Sequence, residues 1–363
     1  MNEVYIAGRG LASALGPDLA SALIALGQGL VAPARFELVP GLGWPYFAIT
    51  EEDAEEAADW SERARRITCR VAAESGALAG PRSGPLFVAS SSHDIGGCEI
   101  GSDFEGDCHR FAQTVAAWLD WRGPVFTVST ACTSSLNALR GARTLIRHGQ
   151  ADHALVLGLE LRNRVTLGGF AGMQLLSPRR ALPLGQGRDG LVLGEAAAAL
   201  HLSSTPARWR IAGGANVVAG QDPTGIDAGA VAAMCRQALV DSALAPADIA
   251  LIKPQAAGSP ANDAIEASAL AQVFATMPAL VSFKGVIGHT LGAAGAAELA
   301  LLMACLESGT WPRVDYAQDA ALKAALAGQA PAHARHVLAS ILGFGGGHAA
   351  VVLEDRAARR AAG

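Results

Sequence analysis

The sequence has no Cys-x-x-Cys pair, no glycine-rich phosphate loop and no run of basic residues. The first absence argues against a zinc site or a paired-cysteine redox centre, and the second against a nucleotide cradled at a helix start. With a net charge near −5 and no basic stretch, nucleic acid is not expected as the main partner. No segment reads as long and apolar enough to span a membrane, and Met1 to Ala7 has no basic leader, so a cytoplasmic protein is expected. Six cysteines, at 69, 98, 108, 132, 235 and 305, are scattered in a way that suits reduced thiols. Charge is also scarce, at 17% of residues against 51% hydrophobic, so the 363-residue chain can bury a large core.

One stretch organises the rest. Val125 to Val128 is a short β-branched run that predicts a buried strand, and Ser129 to Thr133 is a turn of small residues. From Ser134, Leu136, Leu139, Ala142, Leu145 and Ile146 recur at helical spacing until His148 and Gly149 close the helix. Cys132 therefore lies where a strand turns into a helix N-terminus. Unpaired amides and the helix dipole there are expected to lower its thiol pKa and make a nucleophilic thiolate available. A lone cysteine in an apolar chain is more often simply packed, and this context argues against that.

Before this stretch, Val4 to Ala7 predicts a strand, Gly8 and Gly10 a turn, and the residues to about Leu26 a helix. Glu51 to Leu78 and Phe104 to Trp121 predict helices, and Leu86 to Ser90 a strand followed by a loop from 91 to 97. After it, His153 to Leu159 reads as a strand closed by Glu160, residues 162 to 190 as irregular, and Gly190 to Leu202 as containing a strand. From about Arg208 the order repeats. Strands are expected at 211–218, 249–253, 280–283, 337–341 and 349–354, and helices at 228–242, 262–274 and 292–307. Alternating strands and helices imply an α/β fold with mostly parallel sheets, and the repetition implies two similar halves, at 1–205 and 206–363.

The second half carries Lys284, a turn, His289 and then Glu298 on a helix whose Gly292, Ala293, Ala294 and Gly295 permit close packing. His289 thus occupies a place symmetric with Cys132. A single histidine is usually structural, but this symmetry makes it a candidate for catalysis. His93, His109, His148, His153, His333 and His336 fall in expected loops or element ends and read as surface residues.

Four motifs, in order along the chain, resemble the β-ketoacyl-acyl carrier protein synthases of the thiolase superfamily. They are Thr130-Ala131-Cys132-Thr133-Ser134-Ser135, Arg188-Asp189-Gly190 with Leu193-Gly194-Glu195, Lys284 with Gly288-His289-Thr290-Leu291-Gly292-Ala293-Ala294-Gly295, and Gly343-Phe344-Gly345-Gly346. The resemblance implies two βαβαβαββ halves in a five-layer α-β-α-β-α sandwich, usually as a dimer. It also implies that Cys132 takes an acyl chain as a thioester, its own amide and that of Phe344 forming the oxyanion hole. Lys284, ion-paired with Glu298, would organise the site. His289 would polarise a malonyl thioester during decarboxylation, and Phe344 would also gate the acyl pocket. No bound cofactor is implied; substrates would arrive on the phosphopantetheine of an acyl carrier protein.

One position departs. Where the family writes a histidine before Gly-Thr-Ser-Thr-Pro, this chain has Gln255-Ala256-Ala257-Gly258-Ser259-Pro260. Gln255 can donate a hydrogen bond but cannot take or store a proton. Ala257 lacks a hydroxyl that the family sets near the pantetheine arm, leaving Ser259, and Gly347-His348 replaces the usual Thr-Asn. Two readings follow: a condensing enzyme with a Cys132, Gln255, His289 set, or a chain-length-factor-like subunit that pairs with an active ketosynthase. The retained cysteine favours the first. The lost histidine and the short segment between Gly97 and Cys132 favour the second. A homodimer or a heterodimer with a second ketosynthase is expected accordingly. A non-catalytic thiolase-fold binding protein and a thiolase are further alternatives. The first leaves Cys132, Lys284, His289 and Phe344 unexplained as a set, and the Gly-His-Thr-Leu-Gly-Ala-Ala-Gly run is nearer the synthase form.

Overall fold

The computed structural model describes residues 1–29, 31–49, 59–101, 107–219 and 225–358. The first half runs β1 (Tyr5–Ser13), α1 (Leu19–Gln28), β2 (Ala34–Val39), β3 (Leu42–Phe47), α2 (Trp60–Glu74), β4 (Leu86–Ala89), α3 (Ile95–Cys98), α4 (Cys108–Trp118), β5 (Val125–Val128), α5 (Ser134–Arg147), β6 (His153–Glu160), α6 (Arg164–Gly172), β7 (Leu193–Gly194) and β8 (Ala196–Ser203). The second runs β9 (Trp209–Val218), α7 (Ala228–Ser242), β10 (Leu251–Lys253), α8 (Pro260–Ala271), β11 (Ala279–Leu280), α9 (Lys284–Ile287), α10 (Ala294–Ser308), β12 (His336–Leu342) and β13 (Gly347–Asp355).

Ten strands are hydrogen-bonded in the order β11-β10-β12-β13-β9-β1-β8-β6-β4-β5. The two halves of that order have one pattern. From β1 outward the pairings run antiparallel, antiparallel, parallel, parallel, and from β9 outward they repeat. The halves of the order meet where Tyr5 pairs with Arg210 and Ile6 with Trp209, beside Ile211 N donating to Val4 O at 2.9 Å. Each half reads βαβαβαββ: β1-α2-β4-α4-β5-α5-β6-β8, then β9-α7-β10-α8-β11-α10-β12-β13. Helices α5 and α10 touch strands of both halves and each other, α2 and α4 cover the outside of the first sheet, and α7 and α8 that of the second. The result is the thiolase-like five-layer sandwich.

Helix α10 explains why the middle layer is helical. Its residues 294 to 305 are all buried, so an apolar surface is required all round rather than on one stripe. The segment Leu291–Ser308 is therefore long and apolar enough to cross a membrane, contrary to the reading that no stretch approaches a span, yet 83% of it is buried in the core. Gly295 lets the helix meet α5: a Cβ there would lie 2.6 Å from the Leu136 side chain.

Several sequence expectations change. Gly8 and Gly10 lie inside β1, not in a turn. A Cβ on Gly8 would stand 2.1 Å from the Ser75 carbonyl oxygen and one on Gly10 2.2 Å from that of Val71, so both admit α2 against the sheet. The turn comes at Ser13–Gly16, and Asp18 caps α1 by accepting from Ser21 N at 2.7 Å. The helix expected at 51–78 is α2, capped by Asp59, with a 3₁₀ turn at Ala77–Ala79; residues 51–58 lie outside the described residues. Residues 104–106 of the next expected helix do so too, and α4 starts behind the Asp107 cap.

Strand β5 is an edge, not a buried strand; it pairs with β4 alone and leaves Phe126 40% exposed. A short β-branched run does not by itself distinguish edge from centre. The β2–β3 hairpin and helix α6 lie where no element was expected. α6 contains three glycines and is held by Asn163, which accepts from Thr166 N at 2.7 Å. His93 is buried rather than superficial, and burial lowers its pKa.

Candidate active site

Cys132 follows β5 in a turn with Ala131 in the left-handed region at φ 50°. That conformation costs a non-glycine residue about 1 kcal/mol or more and is held by the chain around it. Thr133 Oγ1 donates to Thr130 O at 2.6 Å, Ser134 Oγ to Ala131 O at 2.6 Å, and Thr130 N to Ser134 Oγ at 2.9 Å. The sulfur is thereby presented to a narrow cleft whose walls include Gln255, Ser259, Glu266, His289 and Phe344.

His289 reaches the same cleft through the hairpin that the sequence did not announce. Strand β3 pairs in parallel with β7, and β7 with the His289 backbone. His289 N donates to Val192 O at 2.7 Å, and Gly194 N donates to His289 O at 3.1 Å. Gly288 at φ 71° makes the approach possible, since a Cβ there would be 2.7 Å from Leu193 O. His289 Nε2 then stands 3.2 Å from Cys132 Sγ and 3.4 Å from Gln255 Nε2. Two donors, the thiol and the amide, face Nε2, which places its lone pair toward them and the imidazole proton on Nδ1. Nδ1 and Gln255 Oε1 are buried without a hydrogen-bond partner among the described residues.

The electrostatics correct one expectation. The Cys132 thiol is pushed up to about 11, not lowered, because burial outweighs the Lys284 charge and the hydrogen bonds from the Phe344 and Cys132 amides. Burial, with Lys284 and Lys253 nearby, holds His289 well below the usual imidazole range. The resting pair is thus neutral thiol and neutral imidazole. The amides of Phe344 and Cys132 nevertheless act to favour a thiolate at this sulfur, though less strongly than burial opposes it.

Behind the cleft, Lys284 Nζ bonds Glu298 Oε1, and Lys253 Nζ bonds Glu298 Oε2 at 2.6 Å. All three side chains are within 1% of complete burial. The Lys284–Glu298 pair was expected; Lys253 was not, although a lysine closing an apolar strand was a signal that it ends in the interior. The two lysines hold the Glu298 carboxyl below its ordinary value against burial. Glu266 accepts from the backbone N–H of Gln255 and Ala256, both at 2.8 Å, and burial raises it to about 7.

Phe344 lies in a loop pinned by Gly343 N donating to Gly347 O at 2.7 Å, and its ring stacks on Phe170 with centroids 5.4 Å apart. Ser259 lines the cleft but also caps α8, its hydroxyl accepting from Asn262 N at 3.4 Å. The Arg188-Asp189-Gly190 run precedes the cleft-lining Leu191 and is fixed by Arg188 bonding Asp319 at 2.7 Å and by Gly190 N donating to Gly258 O at 3.1 Å. Glu195 is buried against Arg63 at 2.6 Å, and Glu160 accepts from Ser91 N and Gly292 N at 3.0 and 2.9 Å. The sequence reading gave Glu160 no part beyond closing a strand. Among the described residues no group of three His, Cys, Asp or Glu side chains could hold a metal ion.

Comparison with known proteins adds independent weight. The family model for the β-ketoacyl synthase N-terminal domain matches residues 106–207, and that for the C-terminal domain residues 212–315. The chain is 31% identical over 216 residues to 3-oxoacyl-[acyl-carrier-protein] synthase 2 of Coxiella burnetii, a match covering 53% of this chain and 51% of the relative. It is 33% identical over 288 residues to the polyketide synthase ThaG of Burkholderia thailandensis, covering 68% of this chain and 5% of that one. The match thus spans about half the length of the Coxiella relative and a small part of ThaG. Among solved structures, the Xenorhabdus doucetiae ketosynthase in complex with its chain length factor superposes with a TM-score of 0.85 at 25% identity over 98% of both chains. A β-ketoacyl synthase from Burkholderia phymatum has the same fold, with a TM-score of 0.83 at 23% identity over 98% of this chain and all of that one. With two domain models matched in tandem over more than half its length, on a duplicated sandwich that brings their motifs to one cleft, this chain belongs to the β-ketoacyl synthase family.

Proposed function

We propose that this chain accepts an acyl group from the phosphopantetheine of an acyl carrier protein onto Cys132, as the first half of a decarboxylative condensation with malonyl-carrier protein. The observation that carries this reading is the 3.2 Å approach of His289 Nε2 to the Cys132 sulfur in a cleft that Phe344 also lines. In the acyl-transfer step Sγ attacks the thioester carbonyl, and its proton moves to His289 Nε2. The developing oxyanion takes the amides of Cys132 and Phe344, and the new S–C bond replaces that of pantetheine. The departing pantetheine sulfur receives the proton from His289. Ser259, on the cleft wall, suits a contact to the pantetheine arm, and Lys284 with Glu298 fixes the surrounding charge.

Condensation asks more of the site. Gln255 offers one amide donor beside His289 and no proton uptake, so malonyl decarboxylation by the chain alone is slow. Intact-mass analysis after incubation with acyl-carrier protein tests the proposal. One acyl group added to wild type and none to Cys132→Ala supports it, and no gain in either defeats it.

A second reading rests on Gln255 itself: a subunit that pairs with an intact ketosynthase, as in the Xenorhabdus complex. Co-expression with such a synthase and sizing of the product decides it. A stable homodimer with full condensing activity excludes this reading.

A further inference from the structure

The chain has only three lysines, at 253, 284 and 323, and two of them are buried behind the cleft on a single carboxylate. Lys253 closes β10, Lys284 opens α9, and Glu298 projects from α10 between them. One Glu298 oxygen goes to each ammonium. A carboxylate divided in this way compensates neither cation fully, and a buried charge that is incompletely paired acts strongly on its neighbours. Lys284 is the largest charge acting on the Cys132 sulfur, and both lysines act on His289.

We propose that Lys253 is a positioning residue for the Cys132–His289 pair: by taking one oxygen of Glu298 it leaves the Lys284 ammonium half-compensated, so that the Lys284 field reaches the sulfur. The other groups facing this cluster fit the assignment. Glu266 on α8 acts on Lys253, with Asp263 beside it, and is tied to the backbone of Gln255 and Ala256. Glu160 on β6 opposes a thiolate at Cys132 but is occupied by Ser91, Ser92 and Gly292. Burial brings Lys253 down to about 8, so near neutral pH it still adds a second cation to a site where Gln255 brings no charge, and that contribution fades towards the alkaline end of the range tested. In Lys253→Met the carboxylate belongs to Lys284 alone, the pair is neutral, and the sulfur loses its positive neighbour.

This inference deepens the acyl-transfer proposal and rests on the same cleft, but its test needs no carrier protein. Site-specific labelling of Cys132 by iodoacetamide is followed by peptide mass spectrometry from pH 7 to 9.5 in the full chain. Lys253→Met is expected to label roughly three- to tenfold more slowly than wild type, with the rate profile displaced to higher pH, the size of effect of a nearby buried charge. Lys253→Arg keeps the cation and is expected to stay near wild type. A folded Lys253→Met with an unchanged profile overturns the proposal, as does an Arg variant displaced as far as the Met variant. If Lys253→Met does not fold, Lys253→Gln, which still donates to Glu298, carries the same comparison; failure of both to fold assigns Lys253 a structural part only and also overturns it. Normal labelling shifts in a chain that is never acylated would sink the acyl-transfer reading and leave this one standing.

Discussion

The sulfur of Cys132 and Nε2 of His289 are 3.2 Å apart although 157 positions separate the residues in the chain. Each is delivered by the corresponding unit of its half: Cys132 follows β5 and precedes α5, and His289 follows β11 and precedes α10. Because α5 and α10 pack together in the middle layer, the two turns open onto one cleft.

The first prediction concerns the thiol. Burial pushes Cys132 up to about 11, so between pH 7 and 9 its thiolate fraction, and its labelling rate, should rise roughly tenfold per unit. Site-resolved iodoacetamide kinetics measure this, and a plateau near neutral pH would show a thiolate already formed.

Restoring the missing proton acceptor should restore decarboxylation. Gln255→His places a second imidazole beside His289, and carbon dioxide release from malonyl-carrier protein should rise about 10²-fold, the lower end of what a general acid–base group supplies. No increase in a folded variant would place the block elsewhere in the cleft.

Glu298 links the site to stability. Its carboxyl is held below 4.5 by Lys253 and Lys284, so it contributes stability above the unfolded value that is lost as pH falls through the folded one. Glu298→Leu leaves two buried ammoniums unpaired and should cost about 3–5 kcal/mol by urea unfolding at pH 7. A loss below 1 kcal/mol would mean that the cluster is not formed in solution.

Packing at β1 gives a test independent of chemistry. In Gly8→Ala the new methyl would stand 2.1 Å from Ser75 O, which is backbone and cannot swing aside. We expect a loss of about 2–3 kcal/mol, typical of an overpacked site, against little change for Gly80→Ala, where nothing lies within 4 Å.

The exposed edge tests the paired reading. If a second ketosynthase-like chain binds there, Phe126→Asp should weaken the complex by size-exclusion chromatography without altering Cys132 labelling, since Phe126 stacks on Phe87 away from the cleft. An unaffected complex would place the contact on another face.

Much of this protein was determined by its sequence alone. Helix α7 falls at Ala228–Ser242 as its spacing predicts, and the duplicated strand order and the turns carrying Cys132 and His289 were legible because apolar periodicity and turn chemistry are local signals. Tertiary structure decided what depends on the surroundings of a group. The β2–β3 hairpin, half-exposed and weakly patterned, became the support for His289 through β7. Gly8 and Gly10 became contact points for α2 rather than a turn. Burial reversed the expected shift of the Cys132 thiol, because the cost of desolvating a charge is set by the atoms packed around it and not by neighbours in the chain. For the same reason Lys253, unremarked at the end of a three-residue strand, proved to share a buried carboxylate with Lys284.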